Sequence, residues 1–369
     1  MTNIEIGAFK RAARAYSFDD IALVPKRRVR DIADVTVSWK IDAYEFDHPI
    51  VMAPMDSVAS PATVIEYSRL GGMAVLDLEG LWTRFQDPAA ALVEVSSLRG
   101  STGVRRLQEL YATPIDADLM KQRVSELRDA GITVAGALSP ERAVQFHADI
   151  AKAGLDIFVI RGTTVSAEHV SQQRESLNLK EFIYDVDTPV IVGGVASYKA
   201  ALHLMRAGAA GVLVGFGGGA THTTRDVLGI RVPMASAVSD VAAARRDYLE
   251  ESGGRYVQVI ADGAMGRSGD MAKALACGAD AVMVGSPLAR AVDAPGNGRH
   301  WGREAAHADL PRGEVVDLGT IGSLHDIVVG PSHAADGTMN IVGAVRKSMA
   351  TCGYTTVKDF QRCEIIVDR

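Results

Sequence analysis

The chain has 369 residues, 47% hydrophobic and 23% charged, an ordinary globular balance at a size that builds a core without disulfide staples. Its formal net charge is −6 and its only cationic cluster, Lys26, Arg27, Arg28 and Arg30, is short, which argues against a nucleic-acid surface. No run approaches the roughly 18 apolar residues of a membrane span, and the N-terminal stretch has no apolar signal core, so the expectation is a cytoplasmic protein with no membrane or nucleic-acid partner.

In chain order, short apolar runs rich in Val and Ile recur: His48–Met55, Gly71–Leu78, Ile132–Leu138, Asp156–Ile160, Pro189–Val195, Gly211–Gly215, Val257–Ala261 and Ala281–Gly285. They are continuous rather than alternating, the pattern of strands buried on both faces of a parallel sheet. Amphipathic helical stretches lie between them: Asp118–Ala130, Glu141–Ala153, Tyr198–Ala207 and Ser268–Cys277, each followed by glycine, a common helix stop. About eight strand–helix alternations predict one (β/α)8 TIM barrel spanning residues 1–369, with a doubly wound open sheet as the alternative.

Two segments break the repeat. Glu79–Ile115 follows the second strand and Pro295–His333 follows the eighth, and both are long for βα loops. They leave the C-terminal face, where active sites of this fold lie. Pro295–His333, polar and with few evident apolar anchors, is expected to be a mobile flap. The three cysteines, Cys277, Cys352 and Cys363, lack metal-ligand spacing and read as unpaired thiols.

Chemistry concentrates in three successive loops. Gly215-Phe216-Gly217-Gly218-Gly219-Ala220-Thr221-His222-Thr223-Thr224-Arg225 follows the sixth strand, Ala261-Asp262-Gly263-Ala264 the seventh, and Gly285-Ser286-Pro287 the eighth. Glycines there let a backbone approach a ligand. Gly285 and Ser286 would offer donors to a phosphate, and Asp262 would accept from ribose hydroxyls; as a plain turn, Ala-Asp-Gly would instead leave Asp262 capping a helix.

Together these motifs carry a resemblance. Tyr16-Ser17-Phe18-Asp19-Asp20-Ile21-Ala22-Leu23-Val24-Pro25, Ala53-Pro54-Met55-Asp56-Ser57-Val58, Val259-Ile260-Ala261-Asp262-Gly263, Ser268–Leu275 and Met283-Val284-Gly285-Ser286 are similar, in order and spacing, to the IMP dehydrogenase/GMP reductase family. The resemblance implies a homotetrameric barrel that exchanges hydride between a purine mononucleotide and NAD or NADP. It places Met55 and Ile321 beside the base, Asp262, Gly263, Gly285 and Ser286 on the ribose phosphate, and Arg161 and Gly162 at the cofactor. Thr224 is placed beside the catalytic centre, and the carbonyls of Gly217, Gly219 and His222 around a monovalent cation such as potassium. Glu79–Ile115 lies where many members carry regulatory domains and is too short to hold them.

The chain departs from the family pattern where the reaction happens. The family's nucleophilic cysteine is His222, and the phosphate-binding serine two residues before it is Ala220. The fourth-strand aspartate is Arg161, the second glycine after Asp262 is Ala264, the fifth-strand asparagine is Gly194 and a phosphate-binding tyrosine is Leu318. The water-activating Arg-Tyr pair has no match in Pro295–His333. The first expectation is a purine-nucleotide oxidoreductase with His222 at the catalytic position. The second is a non-catalytic purine-nucleotide sensor or partner of an active relative. An FMN-binding barrel is a third.

Overall fold

In the computed structural model, residues 3–166, 172, 177–216 and 218–368 are described. Eight parallel strands close into a barrel: β1 (Ile50–Met52), β2 (Met73–Asp77), β3 (Ala135–Leu138), β4 (Ile157–Arg161), β5 (Val190–Val195), β6 (Gly211–Val214), β7 (Gln258–Asp262) and β8 (Ala281–Val284). They pair in sequence order, and β8 closes on β1 with Val282 opposite Ile50 and Val284 opposite Met52. Every residue of β1, β2, β3, β5, β6 and β8 is buried, as continuous apolar runs require when helices cover one face and the barrel interior the other. The expected runs overhang these strands by one to three residues at some ends, because several flanking apolar residues belong to the loops.

One main helix follows each strand: α1 (Pro61–Arg69), α2 (Ala117–Asp129), α3 (Pro140–Ala153), α4 (Leu179–Asp185), α5 (Tyr198–Arg206), α6 (Met234–Glu251), α7 (Ser268–Ala276) and α8 (Ile341–Thr351). The helices expected from sequence are α2, α3, α5 and α7. Ser139, Ser197 and Asn340 cap α3, α5 and α8 by accepting from backbone N–H groups of the first turn. The N-terminal end of the barrel is covered by a hairpin of Trp39–Ile41 and Tyr44–Phe46, whose Ile41 is fully buried beside Gly211. The C-terminal strand Ile365–Val367 pairs antiparallel with Ile21–Leu23, so the two ends of the chain are tied together.

The two long segments pack on each other. Ala89–Ser97 and Gly100–Ala112 are helical, and Leu81, Leu92, Val95, Leu107 and Leu110 form a satellite core with Trp301, Ala305 and Val315. This corrects the expectation that Pro295–His333 has few apolar anchors. Trp301 is fully buried, and Leu324, Ile327 and Val328 are buried with the main core. Truncating such a buried tryptophan costs about 3–5 kcal/mol, so Trp301 pins the segment over the barrel mouth. Its longest exposed stretch is residues 307–310, and residues 331–333 at its end are exposed as well.

Candidate nucleotide site

A cavity of about 450 Å³ opens at the C-terminal ends of the strands. Arg161 ends β4 and Asp262 ends β7, while Ser286 lies two residues beyond β8 and His222 lies in the loop after β6. The barrel thus gathers onto one face residues that are far apart in sequence. Met55, Arg161, Gly162, Gly219, His222, Asp262, Gly263, Gly285 and Ser286, all expected at the site, line this cavity.

Two glycines are required by geometry. Gly263 has φ +88°, a conformation side chains rarely adopt, and it turns the chain sharply at the end of β7. A Cβ on Gly285 would stand 2.8 Å from the Met55 sulfur and 3.1 Å from the His300 ring, so glycine lets both close over the strand end. Ala264 also sits in the left-handed region, at φ +59°, where an L side chain costs roughly 1–2 kcal/mol.

The polar groups are paired across the mouth. Arg161 Nε donates to Asp262 Oδ2 at 3.3 Å, with only 12% and 13% of the two side chains exposed. Burial disfavours the Arg161 charge, but Asp262 and Glu304 outweigh it and hold its pKa above the ordinary value. Arg303 reaches the buried Glu79 at 2.8 Å and Asp77 at 3.4 Å, a second ion-pair group whose guanidinium also donates to the Arg161 carbonyl at 3.5 Å. Glu304 Oε2 lies 3.9 Å from His222 Nε2, is cut off from solvent and accepts no hydrogen bond from a described residue. Burial opposes its ionisation, yet His222, Arg161 and Arg303 hold the carboxyl down at about 2. His300 bonds Ser57 Oγ through Nδ1 at 2.9 Å, and burial pushes its pKa down to about 3. Behind the mouth, Asp56 accepts from Leu81 N–H at 2.8 Å and from the Tyr111 hydroxyl. Burial first, then the neighbouring Asp77, push Asp56 up to about 7.

Several expected placements do not hold. Thr224 is fully buried at the start of the short helix Thr224–Leu228 and does not line the cavity. Ile321 does not line it either; its N–H donates to the Arg290 carbonyl at 3.0 Å and its side chain packs on the core. In both cases family position was carried over without the local packing that decides where a side chain goes. Arg161 is not a free cofactor contact, because Asp262 engages it. Gly217 lies outside the described residues, and the Gly219 carbonyl accepts the His222 N–H at 3.1 Å. Sequence reasoning missed Glu304, His300 and Arg290, which also line the cavity. Arg290, four residues beyond Ser286, was within reach of a spacing argument; Glu304 and His300 were not, since only the docking of Pro295–His333 brings them in.

No cysteine lines the cavity. Cys352 and Cys363 are buried in the C-terminal part of the chain, and Cys277 caps the far end of α7 with its thiol pushed up to about 11 by burial.

Comparison with known proteins agrees with this geometry. The model of the IMP dehydrogenase / GMP reductase domain matches residues 15–306. An uncharacterized oxidoreductase of Mycolicibacterium smegmatis is 48% identical over 99% of both chains, and one of Mycobacterium tuberculosis is 47% identical over the same share. Inosine-5'-monophosphate dehydrogenase of Thermoplasma acidophilum is 26% identical over 96% of this chain and 92% of its own. A crystal structure of an IMP dehydrogenase/GMP reductase-like protein from Corynebacterium glutamicum superposes with a TM-score of 0.95 at 47% identity, covering 99% of this chain and 98% of that one.

Proposed function

The chain belongs to the IMP dehydrogenase/GMP reductase family, and we propose that it is a purine-mononucleotide-binding member that does not carry out the family's thiol-dependent hydride exchange. One observation carries this: the nucleotide-facing residues Asp262, Gly263, Gly285 and Ser286 line a single cavity in which His222 replaces the thiol and no cysteine is present. The volume lies within the usual range of small-molecule sites, about 300–1,000 Å³. Asp262 gives one oxygen to Arg161, leaving Oδ1 for ribose hydroxyls; Gly285 and Ser286 meet the phosphate.

The thiol matters because the purine C2 must become tetrahedral before hydride moves, and a thiolate is both a good nucleophile and a good leaving group. Neutral imidazole is the poorer nucleophile. For NAD or NADP the fit is poor at Arg161, one of the two contacts the resemblance specifies. Arg161 offers only donors where a carboxylate would accept, and it is already paired with Asp262. Neither a cofactor step nor potassium enters this proposal. Assembly as a homotetramer in the cytoplasm belongs to the same reading.

The test is a thermal-shift screen of IMP, GMP and XMP beside their nucleosides, followed by turnover assays with IMP and NAD and with GMP and NADPH under potassium. A ligand bound only by the native state raises the midpoint by mass action. Nucleotide binding without turnover is the expected result; no shift with any purine nucleotide refutes it. A catalytic reading is favoured by one contact, His222 facing Glu304 at 3.9 Å, which is the composition of an acid–base pair. Robust turnover abolished in His222→Ala would establish that reading instead.

A further inference from the structure

Arg290 is a cationic group in the cavity that the assignments above leave without a role. It caps the four-residue helix Ser286–Ala289 and lines the cavity with Gly263, Gly285 and Ser286. Its backbone is fixed on both sides: its N–H donates to the Pro287 carbonyl at 3.3 Å, and its carbonyl accepts the Ile321 N–H at 3.0 Å. Its Nε is shut off from solvent, and no described residue accepts a hydrogen bond from it. A desolvated guanidinium N–H without an acceptor is costly, and native proteins leave few such groups unmet unless a ligand meets them.

The surroundings define what that ligand offers. The exposed Arg267 lines the same cavity, as do Asp336 and Thr338. Asp336 Oδ1 is taken by the Thr338 hydroxyl at 2.6 Å and its N–H at 3.1 Å. These bonds, chiefly the hydroxyl's, hold the Asp336 carboxyl below its ordinary pKa, and Arg290 adds to the effect, so a fixed negative charge lies near Arg290 without occupying its Nε. Ala220 and Leu318 also line the cavity, and neither side chain has a donor.

We propose that Arg290 is the anion-selecting residue of this site, its guanidinium meeting the terminal phosphate dianion of the ligand beside Ser286. The identity of the rest of the ligand rests on the nucleotide reading; the anion does not. A charge-assisted bond is roughly twice as strong as a neutral one, and a phosphate monoester gains its second charge near pH 6. Selection therefore favours the phosphorylated ligand over its nucleoside, and weakens below about pH 6 and with added salt.

The experiment is calorimetric titration of the full chain with GMP, guanosine and inorganic phosphate, in the natural protein, Arg290→Gln and Arg290→Lys. GMP affinity is expected to fall about 10–100-fold in Arg290→Gln and less in Arg290→Lys, which keeps charge but loses the planar fork. Guanosine affinity is expected to be unchanged, phosphate binding to be lost in Arg290→Gln, and the acid-side loss of GMP affinity to shrink in Arg290→Gln and persist in Arg290→Lys. Unchanged GMP affinity in a folded Arg290→Gln, or an equal loss for GMP and guanosine, overturns the proposal. If Arg290→Gln does not fold, a GMP affinity of the natural protein that is flat between pH 5 and pH 8 overturns it. Phosphate binding that depends on Arg290 in a protein blind to GMP and guanosine upholds this assignment and sinks the nucleotide reading. GMP binding that ignores Arg290 does the reverse. A natural protein that binds neither GMP nor phosphate refutes both.

Discussion

Removing Asp262 tests the site's electrostatics and its ligand role with one substitution. Asp262→Ala leaves Arg161 only 12% exposed with its Nε partner gone. Breaking a buried ion pair from one side costs about 3–5 kcal/mol. Here the cost is smaller, because Glu304 also favours the Arg161 charge and survives the change. The expected loss is about 2–3 kcal/mol, read from the urea midpoint at constant slope. Arg161→Met with Asp262→Ala removes both charges and keeps much of the arginine stem's volume. That double variant should recover most of the stability, since the penalty lies in the orphaned charge rather than in the missing pair. Nucleotide binding should not recover with it, because the ribose acceptor is still absent, and free purine bases should bind both variants as they bind the natural protein. If Asp262→Ala is as stable as the natural chain, or if the double variant is no better than the single one, the pair is not the buried, coupled contact described here.

Three further outcomes follow from particular residues. Asp56 has its pKa raised from 3.8 to about 7, so the native state holds a proton that the unfolded chain releases. Its contribution to stability is full below about pH 4 and is lost as pH rises through 7; Asp56→Asn should flatten the change in urea midpoint across that window. Ala264→Gly should be tolerated without loss of stability, as relief at φ +59° roughly offsets the added freedom of the unfolded chain, whereas Ala264→Val should cost about 1–3 kcal/mol by chemical denaturation. In hydrogen exchange, amides around Trp301 and in Leu324–Val328 should be protected and those of Ala308–Leu310 fast; uniformly fast exchange across the segment would show that Trp301 does not pin it.

Much of the fold was legible because barrel strands are a compositional signal. A strand buried on both faces must be apolar at every position, and eight such runs announce themselves without reference to one another. Of the four helices not delimited in sequence, α6 is rich in alanine and lacks a side-chain N-cap and α4 is only seven residues long, whereas α1 and α8 carry capping signals, Ser60 and Asn340, that the apolar-run reading left unused. The N-terminal hairpin Asn3–Gly7 and Lys10–Ala13 gave no signal because its strands are short and largely exposed.

By itself the sequence determined the parallel barrel, the face on which its loops converge, and the loss of the thiol at His222. Each of these is a property of a residue or of a short run. Only the tertiary structure decided that Arg161 is spent on Asp262, 101 positions away, that Glu304 stands beside His222, that Trp301 anchors its segment, and that Thr224 and Ile321 miss the cavity. Ion pairs and cavity walls are made when the barrel closes and distant loops are pressed together, and no local pattern in the chain encodes which charge will meet which.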